Sequence, residues 1–188
     1  YLENLGNPAF NIPDYEPIVE MARRKGICVM VDNTFGMGGY LFRPFEWGAN
    51  VSIHSATKWI CGHGTALGGV VVDGGNFDWT AEKYPLLAAP SESYHGLVYK
   101  DVFGPAAFAG RVRVDGLRNI GPAASPFNSF LMLQGLETLS LRAERCCSNT
   151  LAVAEFLEKH PAVESVNYPG LKSNPYYDLA CKYLKNGF

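Results

Sequence analysis

The sequence predicts an α/β fold in which a mixed, mostly parallel sheet is flanked by helices. Three observations carry that expectation. A helical pattern from Asp14 to Gly26 runs directly into Ile27-Cys28-Val29-Met30-Val31-Asp32, a continuous apolar run of the type found in strands covered on both faces, here ending in an acid. The rhythm returns at Val51 to His54 and at Ala66 to Asp73. Helices or long crossovers separate these runs, which favours a parallel or mixed sheet with ligands at the carboxyl ends of its strands.

Taken in order, Tyr1 to Asn4 reads as the tail of a strand, and Gly6-Asn7-Pro8 turns the chain. In the first helix Tyr15, Ile18, Val19, Met21 and Ala22 share a face, Arg23-Arg24-Lys25 fills the last turn and Gly26 caps it. After the strand that ends at Asp32, a glycine-rich loop over 36–39 leads to a short helical turn near Trp47-Gly48. Residues 74 to 105 show little periodicity and read as a long irregular excursion, a kind of segment that tends to be functional or partner-facing. Phe127 to His160 is a helical succession, interrupted near Gly135 and ended by Pro161. Val163 to Asn167 alternates as a half-buried strand, and Pro175 to Lys185 is a last helix. A compositional boundary near residue 140 divides an α/β part from the start of an α+β part.

Composition narrows the function classes. Sixteen Lys+Arg against eighteen Asp+Glu give a formal charge of -2, with no basic patch to suggest a nucleic acid or membrane surface as partner. No apolar run approaches the roughly 20 residues that span a bilayer. The five cysteines, at 28, 61, 146, 147 and 181, form an odd set without C-x-x-C, so a reducing, cytoplasmic compartment is expected and no disulfide framework. The chain starts at Tyr1, and the expectation is a piece of a longer subunit.

The densest chemical cluster is His54-Ser55-Ala56-Thr57-Lys58-Trp59, at a strand end and before Gly62-His63-Gly64. Two hydroxyls and a lysine there form a compact anion-and-amine site. Among Trp59, Ile60 and Cys61 a permanently charged ammonium would be costly to desolvate, and burial frees a neutral amine for Schiff-base chemistry that arginine cannot perform. The alternative is a solvated surface lysine. Asp32, at the preceding strand end, either caps a turn with Asn33 or holds a proton on a cationic heterocyclic nitrogen, as pyridoxal phosphate needs in order to act as an electron sink. Because Asp32 and Lys58 end consecutive strands, they open on one sheet edge. Gly62-x-Gly64-x-x-x-Gly68 precedes a strand instead of a helix, so it lacks the phosphate-binding terminus of a dinucleotide fingerprint. Cys61-x-His63 has no second ligand pair, and no metal site is expected.

The segments Gly6-Asn7-Pro8, Val31-Asp32-Asn33-Thr34-Phe35, His54-Ser55-Ala56-Thr57-Lys58, Gly62-His63-Gly64-Thr65 and Gly68-Gly69-Val70 resemble the pyridoxal-phosphate enzymes of cysteine and methionine metabolism, the transsulfuration family. Leu133-Gln134-Gly135-Leu136-Glu137-Thr138-Leu139-Ser140-Leu141-Arg142 extends the likeness. Within the family, Phe35 to Tyr40, Ser93-Tyr94-His95-Gly96 and Tyr168-Pro169-Gly170-Leu171 are most similar to O-acetylhomoserine sulfhydrylases. The resemblance implies a fold-type I, aspartate aminotransferase-like transferase, with residues 1–140 part of the cofactor-binding large domain. Residues 141–188 would continue the long helix and begin the C-terminal small domain. It also implies pyridoxal 5'-phosphate as cofactor, Lys58 as Schiff-base lysine and proton shuttle, Asp32 as partner of the pyridine nitrogen, Ser55 and Thr57 as phosphate ligands, and Asn7 as donor to the phenolic oxygen.

The implied reaction replaces the acetate of O-acetylhomoserine by sulfide or a thiol to give homocysteine, in a cytoplasmic homotetramer. Cystathionine γ-synthase and methionine γ-lyase share every one of these residues and stand as alternatives, as does a non-catalytic piece that keeps the fold. Members of the family also carry a phosphate loop and a ring-stacking aromatic before the position of Tyr1, and a substrate-carboxylate arginine after that of Phe188. The 188 residues alone are therefore expected to be poorly folded or inactive.

Overall fold

A computed structural model describes residues 1–188. Four strands, β1 (Leu2–Glu3), β2 (Met30–Asp32), β3 (Val51–Ser55) and β4 (Gly69–Asp73), lie side by side in that order. The first three run parallel, and β4 returns antiparallel to β3. This is the mixed, mostly parallel sheet the sequence predicts. Register sets Glu3 beside Asp32 and Asp32 beside Ile53, so the carboxyl ends of three strands meet in one place. A ligand site belongs there.

Helix α1 (Tyr15–Arg24) explains why Val31, the middle residue of β2, is buried. Its Tyr15 and Ala22 pack with Val29, Val31, Phe42 and Ala49 in the largest core cluster. The same cluster takes in Ala180 and Tyr183, from a helix near the chain's end over Tyr177–Tyr183. Tyr183 also donates its hydroxyl to Asp14 and accepts the Glu16 N–H at 3.2 Å, fixing that terminal helix to the start of α1. The strand proper starts at Met30, later than the apolar run suggests, because Ile27 to Val29 find other partners. Ile27 N–H closes the helix on Ala22 O at 2.9 Å, Cys28 N–H goes to the Tyr84 hydroxyl at 2.9 Å, and Val29 N–H to Asn50 Oδ1 at 2.8 Å.

Between β4 and residue 120 the chain is more ordered than its weak periodicity suggests. Short helices α2 (Pro85–Ala88), α3 (Tyr99–Phe103) and α4 (Ala107–Arg111) enclose a separate core of Trp79, Leu87, Tyr99 and Ala107. Helices of four or five residues, as α2 and α3 are, are too short to display a period, and α4 continues into a widened helical turn through Ile120. Residues 163–167 form no strand. Nothing pairs with them: Val163 N–H turns back to His160 O at 3.0 Å, and the Asn167 amide donates to Ala9 O at 3.0 Å. Alternation alone cannot make a strand without a neighbouring ladder.

The long helical succession is two helices, α5 (Pro126–Glu137) and α6 (Leu139–Glu158), with Thr138 at φ -105° breaking them. The interruption thus falls three residues beyond Gly135. Gly135 serves close packing instead, because a Cβ there would stand 2.1 Å from Cys61 O and 2.5 Å from Ile60 O. Backbone cannot yield as a side-chain tip can. Gly135→Ala in the full-length subunit is therefore expected to cost about 3 kcal/mol, as overpacking does, and to lower the denaturation midpoint accordingly.

Candidate active site

Site geometry begins at Asp32. Being half-buried, this carboxyl would rise above its ordinary range, but the bonds it accepts from the Thr34 hydroxyl, the Thr34 backbone and Tyr1 hold it below, aided by the nearby His54. Its Oδ1 receives the Thr34 hydroxyl at 2.6 Å and the Thr34 N–H at 3.0 Å. Its Oδ2 takes only the exposed Tyr1 hydroxyl, at 2.9 Å. Thr34 is itself tied to the next strand, since Ser55 N–H donates to its hydroxyl at 2.9 Å. One relay from Ser55 through Thr34 to Asp32 locks two strand ends together.

Asp32, Ser55, Lys58 and Asn7 line one cavity of about 370 Å³, together with Thr34, Phe35, Trp59 and the first residues after β1. The structure thus brings four of the five sequence-predicted residues together. Thr57 is not on that lining. Its hydroxyl donates to Gly68 O at 3.2 Å and accepts the Gly68 N–H at 3.0 Å, tying the turn that carries Lys58 to the start of β4. Asn7 is exposed, and its N–H meets Glu3 Oε2 at 3.1 Å.

Lys58 departs from expectation. It is exposed, on a turn where Gly62 N–H closes on Lys58 O at 2.8 Å, instead of being enclosed by Trp59, Ile60 and Cys61. The physical reason lies one step along the chain: Cys61 is the fully buried member, and anchoring it swings the lysine outward over the cavity mouth. His63 also faces elsewhere, with Nδ1 2.8 Å from Cys61 O, so Cys61 and His63 do not converge as ligands. On β3, His54 Nε2 lies 2.9 Å from Ser52 Oγ in a buried pair, and burial pushes the imidazole below its usual value.

Two contributors escape sequence reasoning. Asn4 is 1% exposed at the cavity wall, yet neither atom of its side-chain amide has a partner. Such a buried, unsatisfied amide is costly and calls for a polar group to meet it. Thr34 offered a weak signal, as a hydroxyl two residues after an aspartate at a strand end is a common turn former.

The model of the family described as Cys/Met metabolism PLP-dependent enzyme matches residues 1–188. The chain belongs to this family. Homocysteine/cysteine synthase of Kluyveromyces lactis is 56% identical over 100% of this chain and 43% of that protein. O-acetyl-L-homoserine sulfhydrylase 1 of Thermus thermophilus is 54% identical over 98% of the chain and 44% of its own length. A solved Campylobacter jejuni structure described as an O-acetylhomoserine (thiol)-lyase, with N'-pyridoxyl-lysine-5'-monophosphate in it, superposes with TM-score 0.93 at 39% identity, over 99% of this chain and 46% of that one. This member of the family therefore spans less than half the length of those relatives. No helix is long and apolar enough to cross a membrane.

Proposed function

We propose that this chain is the lysine-bearing part of a subunit that replaces the acetate of O-acetylhomoserine by sulfide, releasing homocysteine and acetate. The observation that carries the reading is the shared cavity, in which Lys58 and the ionised Asp32 face one space at the carboxyl ends of adjacent strands. The residues present fit pyridoxal phosphate. An anion, an amine, a hydroxyl and an unpartnered amide, from Asp32, Lys58, Ser55 and Asn4, border a volume of about 370 Å³. Asp32 would hold the ring nitrogen and Lys58 the aldehyde carbon, with Ser55 on the phosphate and Asn7 on the phenolic oxygen. Thr57 would reach the phosphate with what its bonds to Gly68 leave free. When bound, the cofactor supplies a sink for the electrons left behind as protons leave the α- and β-carbons.

Within that frame each residue of the chain has a task. Asp32 keeps a negative charge on the floor of the cavity, and the Ser55–Thr34 relay keeps its Oδ1 from swinging away. Lys58, exposed on its turn, has the freedom to let go and return as a proton carrier between adjacent carbons. The two-part division near residue 140 belongs to the same reading, supported by the start of α6 at Leu139. So do a cytoplasmic location and a homotetrameric assembly. Phe127, Leu133 and Leu136 on α5 leave apolar surface for contact with further chain or further subunits. Activity is expected of the longer subunit and not of these 188 residues by themselves.

Product analysis tests the reaction. The full-length subunit, given O-acetylhomoserine and sulfide, is expected to yield homocysteine and acetate in equal amounts, and to leave methionine unchanged. Thiol release from methionine alone, without γ-replacement, would point to a lyase instead.

A further inference from the structure

Arg142 is not on the lining of the cavity that Lys58 shares with Asp32, yet its guanidinium meets the lysine's turn directly, and both residues border a second cavity of about 580 Å³. One nitrogen, Nη2, donates to Trp59 O at 3.0 Å and to Gly135 O at 2.8 Å, and Nε donates to the Thr138 hydroxyl at 3.2 Å. Three segments are joined by one side chain: the residue after Lys58, the end of α5 and the joint before α6. Gly62 makes the approach possible. A Cβ on Gly62 would stand 2.4 Å from the guanidinium carbon, so the planar group lies against bare backbone at the far end of the same turn. Gly135 adds the matching contact from α5 onto the carbonyls of Ile60 and Cys61.

Thr57 ties the start of that turn to Gly68, and the turn's remaining backbone bonds are local. Ser55 O receives the Lys58 N–H at 3.2 Å, and Ala56 O receives the Cys61 N–H at 2.8 Å. Those bonds fix the start and shape of the turn, whereas from Trp59 to Gly62 the only hydrogen bond to another element is the one from Arg142. Arg142 ties it to two helices, and a fork with five donors suits such multipoint contact where a single ammonium does not. We propose that Arg142 is a positioning residue for Lys58, setting the direction in which the exposed amine is presented to the cavity. The inference rests on the reading of Lys58 given above.

The experiment uses the full-length subunit with Arg142→Met and Arg142→Lys. In the cofactor-free protein, hydrogen exchange at the Gly62 amide is expected to quicken in Arg142→Met, because the turn it closes has lost its outer anchor. Capture of pyridoxal phosphate by Lys58, fixed with borohydride and read on the Lys58 peptide, is expected to slow about tenfold, and kcat to fall about tenfold with KM held within about twofold. Arg142→Lys is expected to recover less than half of the lost capture rate. A lower melting temperature with capture rate and kcat unchanged would overturn the proposal, since Arg142 would then hold only the helix joint. Should Arg142→Met fail to fold, Thr138→Val removes one acceptor alone and is expected to slow capture about twofold; an unaltered rate there overturns it equally. Exchange at Gly62 and capture at Lys58 are read without turnover, so a different product in the activity assay refutes the γ-replacement reading and not this one.

Discussion

Lys58→Ala in the full-length subunit is expected to abolish turnover, by about 10³-fold or more, while leaving folding almost untouched. The size follows from two roles in one atom. Nζ would be both the covalent anchor of the cofactor and the carrier of protons between carbons, and general acid–base transfer by itself is worth about 10²- to 10⁴-fold. The small structural effect follows from exposure, since substitutions at solvated positions away from packed features change stability little. Steady-state rates together with a thermal melt check both halves. A variant that kept substantial activity would remove Lys58 from the chemistry, and one that failed to fold would show that its side chain serves the architecture.

Asp32→Asn carries the second large effect. The substitution keeps shape and some hydrogen bonding but deletes the charge, so a cationic ring nitrogen beneath it loses its partner. An opposite charge at close range moves a titration by about one to three pH units, so the loss of activity is expected to be about 10- to 10³-fold. The pH dependence has a definite sign. Bonds from Thr34 and Tyr1 outweigh the cost of half-burial and hold Asp32 below its ordinary range. A carboxyl depressed in this way contributes fully above its unfolded value and is lost only as pH falls through the lower folded one. Cofactor retention by the wild type should thus show no step from Asp32 between pH 8 and about 4. Absorbance titration of the loaded subunit checks this, and a transition near pH 6 that disappears in Asp32→Asn would contradict it.

How much of this was legible in the sequence depends on the range of the interaction. The helix at Tyr15–Arg24 and the strands ending at Asp32 and Ser55 are written in local periodicity, and the structure repeats them within a few residues. The grouping of the candidate residues was legible for a related reason, because acid, hydroxyl and amine sit at or just after consecutive strand ends. What failed needed partners far along the chain. Val163 to Asn167 alternates like a strand but has no ladder beside it, and the close packing of Gly135 on Cys61 has no local signature, although the interruption read near Gly135 is present at Thr138. The enclosure of Lys58 failed likewise, since adjacent apolar letters do not say which of them the core will take. It took Cys61. Thr34 and Asn4 matter through register and burial, neither of which a single sequence displays.

The most direct test is to reduce the loaded full-length subunit with borohydride, digest it and locate the pyridoxyl group by mass spectrometry. It should be found on Lys58 alone, at about one per chain. A pyridoxyl group on any other lysine, with Lys58 unmodified, would contradict the assignment from which every role proposed for Asp32, Ser55 and Arg142 follows.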